Sequence, residues 1–284
     1  MMKLKSQILL ALILALVSAG CAQQTATIPT VTEAANAEPI SAPAEALKVN
    51  VFAAASLSEP FGEIGQAFEA QHPGATVVFN FAGSQQLAQQ INLGAPADVF
   101  ASANNTQMNA VIQAGEIISG TQQTFARNRL VVIFPQDNPG GLKELKDLAK
   151  PGLKLVLAAR DVPVGGYALN FLDKASADPT FGATFKDDVI KNVVSYEDNV
   201  KTVLTKVALG EADAGIVYTS DISGKDTSNV GRLNIPDALN VIASYPIAPI
   251  KDNKNSDLTQ AFINLVLSSD GQAILAKYNF IPLR

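Results

Sequence analysis

The sequence predicts an α/β protein made of two similar halves, each a mostly parallel sheet with helices on its faces. Three observations predict this. Short apolar runs of strand character alternate with segments whose apolar residues recur at helical spacing. The alternation restarts after a strong strand at 130–134, Leu-Val-Val-Ile-Phe, without any close sequence repeat. The junctions between strand and helix carry small residues, hydroxyls or glycines, so a ligand can approach the backbone there.

In chain order, 47–54 reads as a buried strand that breaks on Ser56, where an amphipathic helix runs to 71 with Phe61, Ile64 and Phe68 on one face. Pro60 is tolerated in its first turn. Strand 75–81, helix 84–93 (Leu87 and Ile91 at i, i+4, with Gly94 as a stop), strand 98–101 and helix 107–114 complete the first half. After strand 130–134 come a short helix at 142–148, strand 154–158 and helix 166–174. Strand 192–196, helix 199–209 and strand 214–218 follow, then an extended segment at 240–250 and helices 258–267 and 271–278. Repeated βα units of this kind imply parallel pairing.

The composition closes off several functional classes. Hydrophobic residues make up 48% and charged residues 17%, enough for a core in one large domain or two smaller ones. There is no Trp and the one His, His72, sits where a helix ends, so a histidine-based triad or metal site has little to build on. One cysteine, Cys21, rules out an intrachain disulfide framework. The formal charge is −5, and without residues 1–20, which hold Lys3 and Lys5, 19 basic residues face 26 acidic ones, giving −7. No nucleic-acid partner is expected from such a chain. An anion would have to be held by local dipoles and not by the overall field.

Residues 1–20 have a basic start, ten apolar residues at 8–17 and a small-residue ending, the pattern of an export signal too short to span a bilayer comfortably. Ser18-Ala-Gly-Cys21 resembles a bacterial lipobox, which implies cleavage before Cys21 and lipidation of its thiol; the motif departs at Ser18, where leucine is usual. Residues 22–46 are rich in Ala, Thr, Pro, Gln and Glu and lack aromatics. With Cys21 they read as a lipidated, disordered tether, 21–46, with a reach on the order of 25–30 Å. An extracytoplasmic, lipid-anchored monomer is expected.

Ligands of open α/β sheets bind beyond the carboxyl ends of strands, where helix N-termini present unpaired N–H groups. The candidate positions there are Ser56, Ser84, the run Pro163-Val-Gly-Gly166, Asp198-Asn-Val200 and Tyr218. None is cationic, and together they offer hydroxyl and backbone donors. Each has a structural alternative. Ser56 with Glu59 spells a capping box, and Ser84 is placed to cap its own helix. Gly165-Gly166 reads as a flexible turn, Asp198 or Asn199 as an N-cap, and Tyr218 as a core residue with its hydroxyl in water. Asp98 braces the cleft or pairs with backbone.

Several motifs then appear together in order: Phe52-Ala-Ala-Ala-Ser-Leu57, Phe81-Ala-Gly-Ser84, Gln89 to Phe100, Asp161-Val-Pro-Val-Gly-Gly-Tyr167, Glu197-Asp-Asn-Val200, Gly215-Ile-Val-Tyr-Thr-Ser-Asp221 and Lys277-Tyr-Asn-Phe280. From about residue 47 to the C-terminus the chain resembles the periplasmic molybdate-binding proteins of ABC transporters. The resemblance implies a two-lobed type II periplasmic-binding-protein fold. Lobe 1 would comprise 47–130 and 246–284, and lobe 2 residues 131–245, with the ligand in the cleft between them. It implies capture of molybdate, and tungstate with it, for an ABC permease, with neither cofactor nor catalysis. Carried over residue by residue, Ser56 and Ser84 would donate through hydroxyl and backbone, Val164 and Val200 through backbone N–H, and Tyr218 through its hydroxyl. Val164 departs from the alanine usual at its position. The competing readings are the same fold with sulfate or another oxyanion, and an extracytoplasmic serine hydrolase built on Ser56.

Overall fold

The computed structural model describes residues 47–223 and 229–283. The export signal, Cys21 and the tether lie outside the described residues. No helix among the described residues is long and apolar enough to cross a membrane.

The chain opens with β1 (Leu47–Ala54), a 3₁₀ turn (Ala55–Leu57), α1 (Ser58–Gln71), β2 (Ala75–Ala82), α2 (Ser84–Asn92), β3 (Val99–Ala101), α3 (Asn105–Gln113) and β4 (Gln123–Asn128). Only Arg129 separates β4 from β5 (Leu130–Pro135), yet the two strands belong to different sheets. Then follow a 3₁₀ turn (Leu145–Ala149), β6 (Leu155–Ala158), α4 (Pro163–Ala177), α5 (Phe185–Lys191), β7 (Val193–Glu197), α6 (Val200–Ala208), β8 (Ala214–Tyr218), a 3₁₀ turn (Thr219–Ile222) and β9 (Val230–Asn234). Finally β10 (Ala243–Pro249) returns the chain to the first sheet, followed by α7 (Ser256–Leu267), α8 (Ser269–Lys277) and β11 (Ile281–Pro282).

The first sheet has the order β11-β4-β10-β3-β1-β2 and the second β7-β6-β8-β5-β9. Strands that lead into a helix by a βα crossover pair in parallel: β1 with β2 and β3, and β6 with β7 and β8. The strands nearest the two crossings between sheets, β4, β5, β9 and β10, pair antiparallel, as does β11. The sheets are therefore mixed and not mostly parallel as the βα alternation implied. Four pairings are parallel, at the edge that carries the βα junctions, and five are antiparallel because the chain crosses between sheets at β4–β5 and β9–β10.

Burial explains these elements. Val51 to Ala54 of β1 are all buried, as expected of a central strand covered on both faces. Phe61 and Phe68 of α1 pack on Phe262 at ring separations of 5.9 and 5.6 Å, and Phe61 lies 5.6 Å from Phe125. Each such ring contributes about 1.5–3 kcal/mol by leaving water. Leu87, Ile91, Met108 and Val111 form a separate cluster with Phe52 and Phe100 beneath α2 and α3. In the second sheet Phe171, Leu172, Val203 and Val207 are fully buried against β6 and β8.

Strand β4, helix α5 and strands β9 and β11 go beyond the elements read from sequence. The helix expected at 166–174 begins at Pro163, which stands at the first helical position, where its missing N–H costs nothing. Gly165-Gly166 is accordingly helix and not a turn. Gly165 is required by close approach, since a Cβ there would lie 2.1 Å from the Ala159 carbonyl oxygen and 2.4 Å from that of Ala158.

Candidate functional site

The carboxyl ends of β1, β2, β3, β6, β7 and β8 surround one small cavity. Ala54, Ala55 and Ser56 line it after β1; Ala82, Gly83 and Ser84 after β2; and Ala103 after β3. From the second sheet come Val162, Pro163 and Val164, Asn199 and Val200, and Tyr218. All five residues singled out from sequence thus meet around one space, and no lining residue is charged.

Helix starts supply the donors. Ser84 and Val200 are the first residues of α2 and α6, and Val164 is the second residue of α4. Backbone N–H groups in a first turn have no intrahelical acceptor and carry the positive end of the helix dipole. Asn199 caps α6, its side chain accepting from Thr202 N–H, which leaves the Val200 N–H unclaimed by that cap.

The hydroxyls are not caps. Ser56 lies in the 3₁₀ turn ahead of α1, and its Oγ is 3.0 Å from the Tyr245 hydroxyl. Ser58, not Ser56, donates to Glu59, and neither the turn nor α1 has a side-chain cap. Ser84 follows the true N-cap, Gly83, and its Oγ accepts from Ala103 N–H at 3.0 Å, leaving its own hydrogen for the cavity. The Tyr218 hydroxyl is buried and has no hydrogen-bond partner among the described residues. It is therefore not a wet phenol at a core edge. Burial, reinforced by Tyr245, Tyr167 and Asp221, pushes its pKa well above the ordinary value, so it stays a donor.

Side chains bridge the two sheets around the cavity. Lys201 of α6 contacts both Glu59 oxygens at 2.9 and 3.0 Å and lies 3.6 Å from Asp221. Gln85 and Gln86 donate to the backbone and side chain of Asp198 at 2.8 and 3.1 Å, and Gln107 donates to the Asp161 carbonyl at 3.2 Å. The other sequence candidates are structural. Asp98 accepts from the backbone and side chain of Asn50, and His72 ends α1 with its ring 4.3 Å from Phe68. No group of His, Cys, Asp and Glu among the described residues could hold a metal ion. A wider cleft across the N-terminus of α4 is lined by Arg160, Asp161, Asp173, Lys186 and Asp187, charges of mixed sign without a convergent donor set.

Asp221 gives this region a pH dependence. Burial raises its pKa to about 6, with Lys201 and the Tyr218 N–H opposing in part. Between its unfolded value near 4 and about 6, the unfolded carboxyl has lost its proton while the buried one keeps it. Stability therefore falls as pH rises through that window. Glu59 acts in the opposite sense: burial raises its pKa, but Lys201 and Ser58 outweigh this and lower it, so its contribution is lost as pH falls. Asp221→Asn is expected to abolish the Asp221 part. The melting temperature of the variant relative to wild type should rise from pH 4 to pH 6, as thermal melts across that range would register.

Sequence reasoning missed Tyr245 and Asn128 behind Ser56, and the bridges of Lys201, Gln85 and Gln86. The chain has five tyrosines, and three of them, Tyr167, Tyr218 and Tyr245, converge here with ring separations of 6.5 and 5.8 Å.

Comparison with known proteins agrees with this architecture. The family profile described as bacterial extracellular solute-binding protein matches residues 49–281. The molybdate-binding protein ModA of Mycobacterium tuberculosis is 38% identical over 246 residues, covering 85% of this chain and 89% of that protein. Among solved structures, the periplasmic molybdate-binding protein of Azotobacter vinelandii superposes with a TM-score of 0.71 at 19% identity, over 83% of this chain and all of that one. The sulfate-binding protein SubI of M. tuberculosis gives 0.74 at 16%, over 84% and 87%. The fold is that of a type II periplasmic binding protein, and the chain belongs to the bacterial extracellular solute-binding protein family.

Proposed function

We propose that this protein captures molybdate, and tungstate with it, outside the cytoplasm and delivers it to the permease of an ABC transporter. The observation that carries the reading is the uncharged cavity lined by hydroxyls and first-turn backbone N–H groups, with the orphaned Tyr218 hydroxyl as its clearest member. Ser56 and Ser84 donate through hydroxyl and backbone, Val164 and Val200 through backbone N–H, and Tyr218 through its phenol. A fully ionised tetrahedral dianion offers only acceptors and suits this set. A protonated oxyanion would set its O–H against another donor. The likeness to molybdate-binding ModA supports the ligand class.

Residues 47–130 with 246–284, and 131–245, act as two lobes that close on the ligand. The bridges Glu59–Lys201 and Gln85/Gln86–Asp198 form in the closed state, so ligand shifts the population toward closure. The protein works as a monomer, by binding and without turnover, held to the membrane through lipid on Cys21.

Sulfate is the second reading, because it presents the same four acceptors and the SubI neighbour binds it. Calorimetric titration with molybdate, tungstate, sulfate and phosphate decides. Molybdate and tungstate are expected to bind tightest and phosphate weakest; sulfate binding as tight as molybdate would overturn the assignment.

A further inference from the structure

Behind Ser56 lies a hydrogen-bond chain through the buried side chains of Tyr245 and Asn128. Asn128 closes β4 at the crossing between the sheets. Its Oδ1 accepts from Arg129 N–H at 2.9 Å, a group that can only donate, and from the Thr219 hydroxyl at 3.0 Å. The amide orientation is thereby set, and Nδ2 donates to Ser220 Oγ at 2.8 Å and, at longer range, to the Tyr245 hydroxyl oxygen at 3.5 Å. The Tyr245 hydroxyl lies 3.0 Å from Ser56 Oγ, a contact in which either oxygen can donate, and the Asn128 N–H aimed at the Tyr245 oxygen favours Tyr245 as the donor. Ser56 then accepts internally, and its hydrogen is left for the cavity. Were the chain reversed, Ser56 would spend its hydrogen on Tyr245 and present lone pairs to an anion. Burial raises the Tyr245 pKa far above its ordinary value, so the phenol keeps the proton that the chain needs.

We infer that Tyr245, oriented by Asn128, is a positioning and specificity-determining residue: its hydroxyl occupies the oxygen of Ser56 and so commits the Ser56 hydrogen to the bound oxyanion. The inference rests on the reading of the cavity as an oxyanion site. It concerns discrimination as well as affinity. Released from Tyr245, the Ser56 hydroxyl can rotate and accept the O–H of a protonated oxyanion more readily than in the committed arrangement.

The test is a double-mutant cycle by calorimetry on wild type, Tyr245→Phe, Ser56→Ala and the double variant, titrated with molybdate and with inorganic phosphate. Phenylalanine keeps the ring against Phe280 and Phe125, at 5.2 and 6.2 Å, and a thermal melt of each ligand-free variant verifies folding. Tyr245→Phe is expected to weaken molybdate binding about tenfold, the scale of one hydrogen bond. It should also narrow the molybdate-to-phosphate ratio, and do neither when Ser56 is already alanine. Equal losses in both backgrounds, or an unchanged ratio, would overturn the inference. Failure of the wild-type protein to bind molybdate would instead overturn the functional reading on which it rests.

Discussion

Replacing Tyr218 with phenylalanine is expected to weaken molybdate binding roughly 10- to 150-fold and to leave the melting temperature of the ligand-free protein unchanged or higher. The range follows from a hydrogen bond to a charged acceptor, about 1.5–3 kcal/mol, at about 1.4 kcal/mol per tenfold in affinity. The asymmetry between binding and stability follows from the hydroxyl itself. It is buried at the end of β8 with no partner among the described residues, so the fold gains nothing from it until a ligand arrives. Removing an unsatisfied buried polar atom is neutral or favourable for the ligand-free chain. The serines do not separate the two quantities so cleanly. Ser84→Ala leaves the buried Ala103 N–H without its acceptor, and Ser56→Ala does the same to Tyr245. Calorimetry together with melts of the ligand-free variants tests the contrast. A large drop in the melting temperature of Tyr218→Phe, with binding intact, would mark the hydroxyl as structural.

The parts of this site legible in the sequence were those encoded locally. A small-residue run ending in Ser56, a glycine before Ser84 and an apolar strand ending in Tyr218 each announce a strand-to-helix or strand-to-loop junction within a few residues. The ordered motifs then brought the five together. What stayed hidden depends on contacts distant in sequence. Ser-x-x-Glu at 56–59 spells a capping box, yet the Ser56 hydroxyl turns to Tyr245, 189 positions away, and Glu59 turns to Lys201, 142 positions away. Both are set by how the sheets meet. Strand β4 escaped because Thr124, Arg127 and Asn128 interrupt its apolar pattern, and Asn128 is polar for a reason found in the Tyr245 chain. Gly165-Gly166 read as a turn because glycine is a poor helix former. Its helical role shows only when the Ala158 and Ala159 carbonyls are seen beneath it.

Gly83→Ala is expected to weaken molybdate binding by one to two orders of magnitude without lowering the stability of the ligand-free protein. Gly83 has φ −59° and ψ 136°, a conformation open to any residue, so the glycine is not there for its backbone freedom. It is there for space: a Cβ would lie 2.4 Å from the Asp198 carbonyl oxygen, backbone between β7 and α6. The Gln85 side chain, at 2.5 Å, can move aside, but Asp198 O cannot move without shifting the loop that carries Asn199 and Val200 into the cavity. Overpacking of this kind costs about 1–3 kcal/mol, and under the proposed closure the cost falls on the closed state alone. In the proposed open state the alanine meets water, and the loss of glycine's unfolded-state entropy stabilises by about 0.4–1 kcal/mol. Gly165→Ala provides the control. Its clash with Ala158 and Ala159 lies within one lobe, so it should lower the melting temperature with or without ligand. Paired melts with and without molybdate distinguish the two glycines. If Gly83→Ala loses ligand-free stability as Gly165→Ala does, the contact between Gly83 and Asp198 belongs to a permanent interface, and the proposal that the lobes open across it fails.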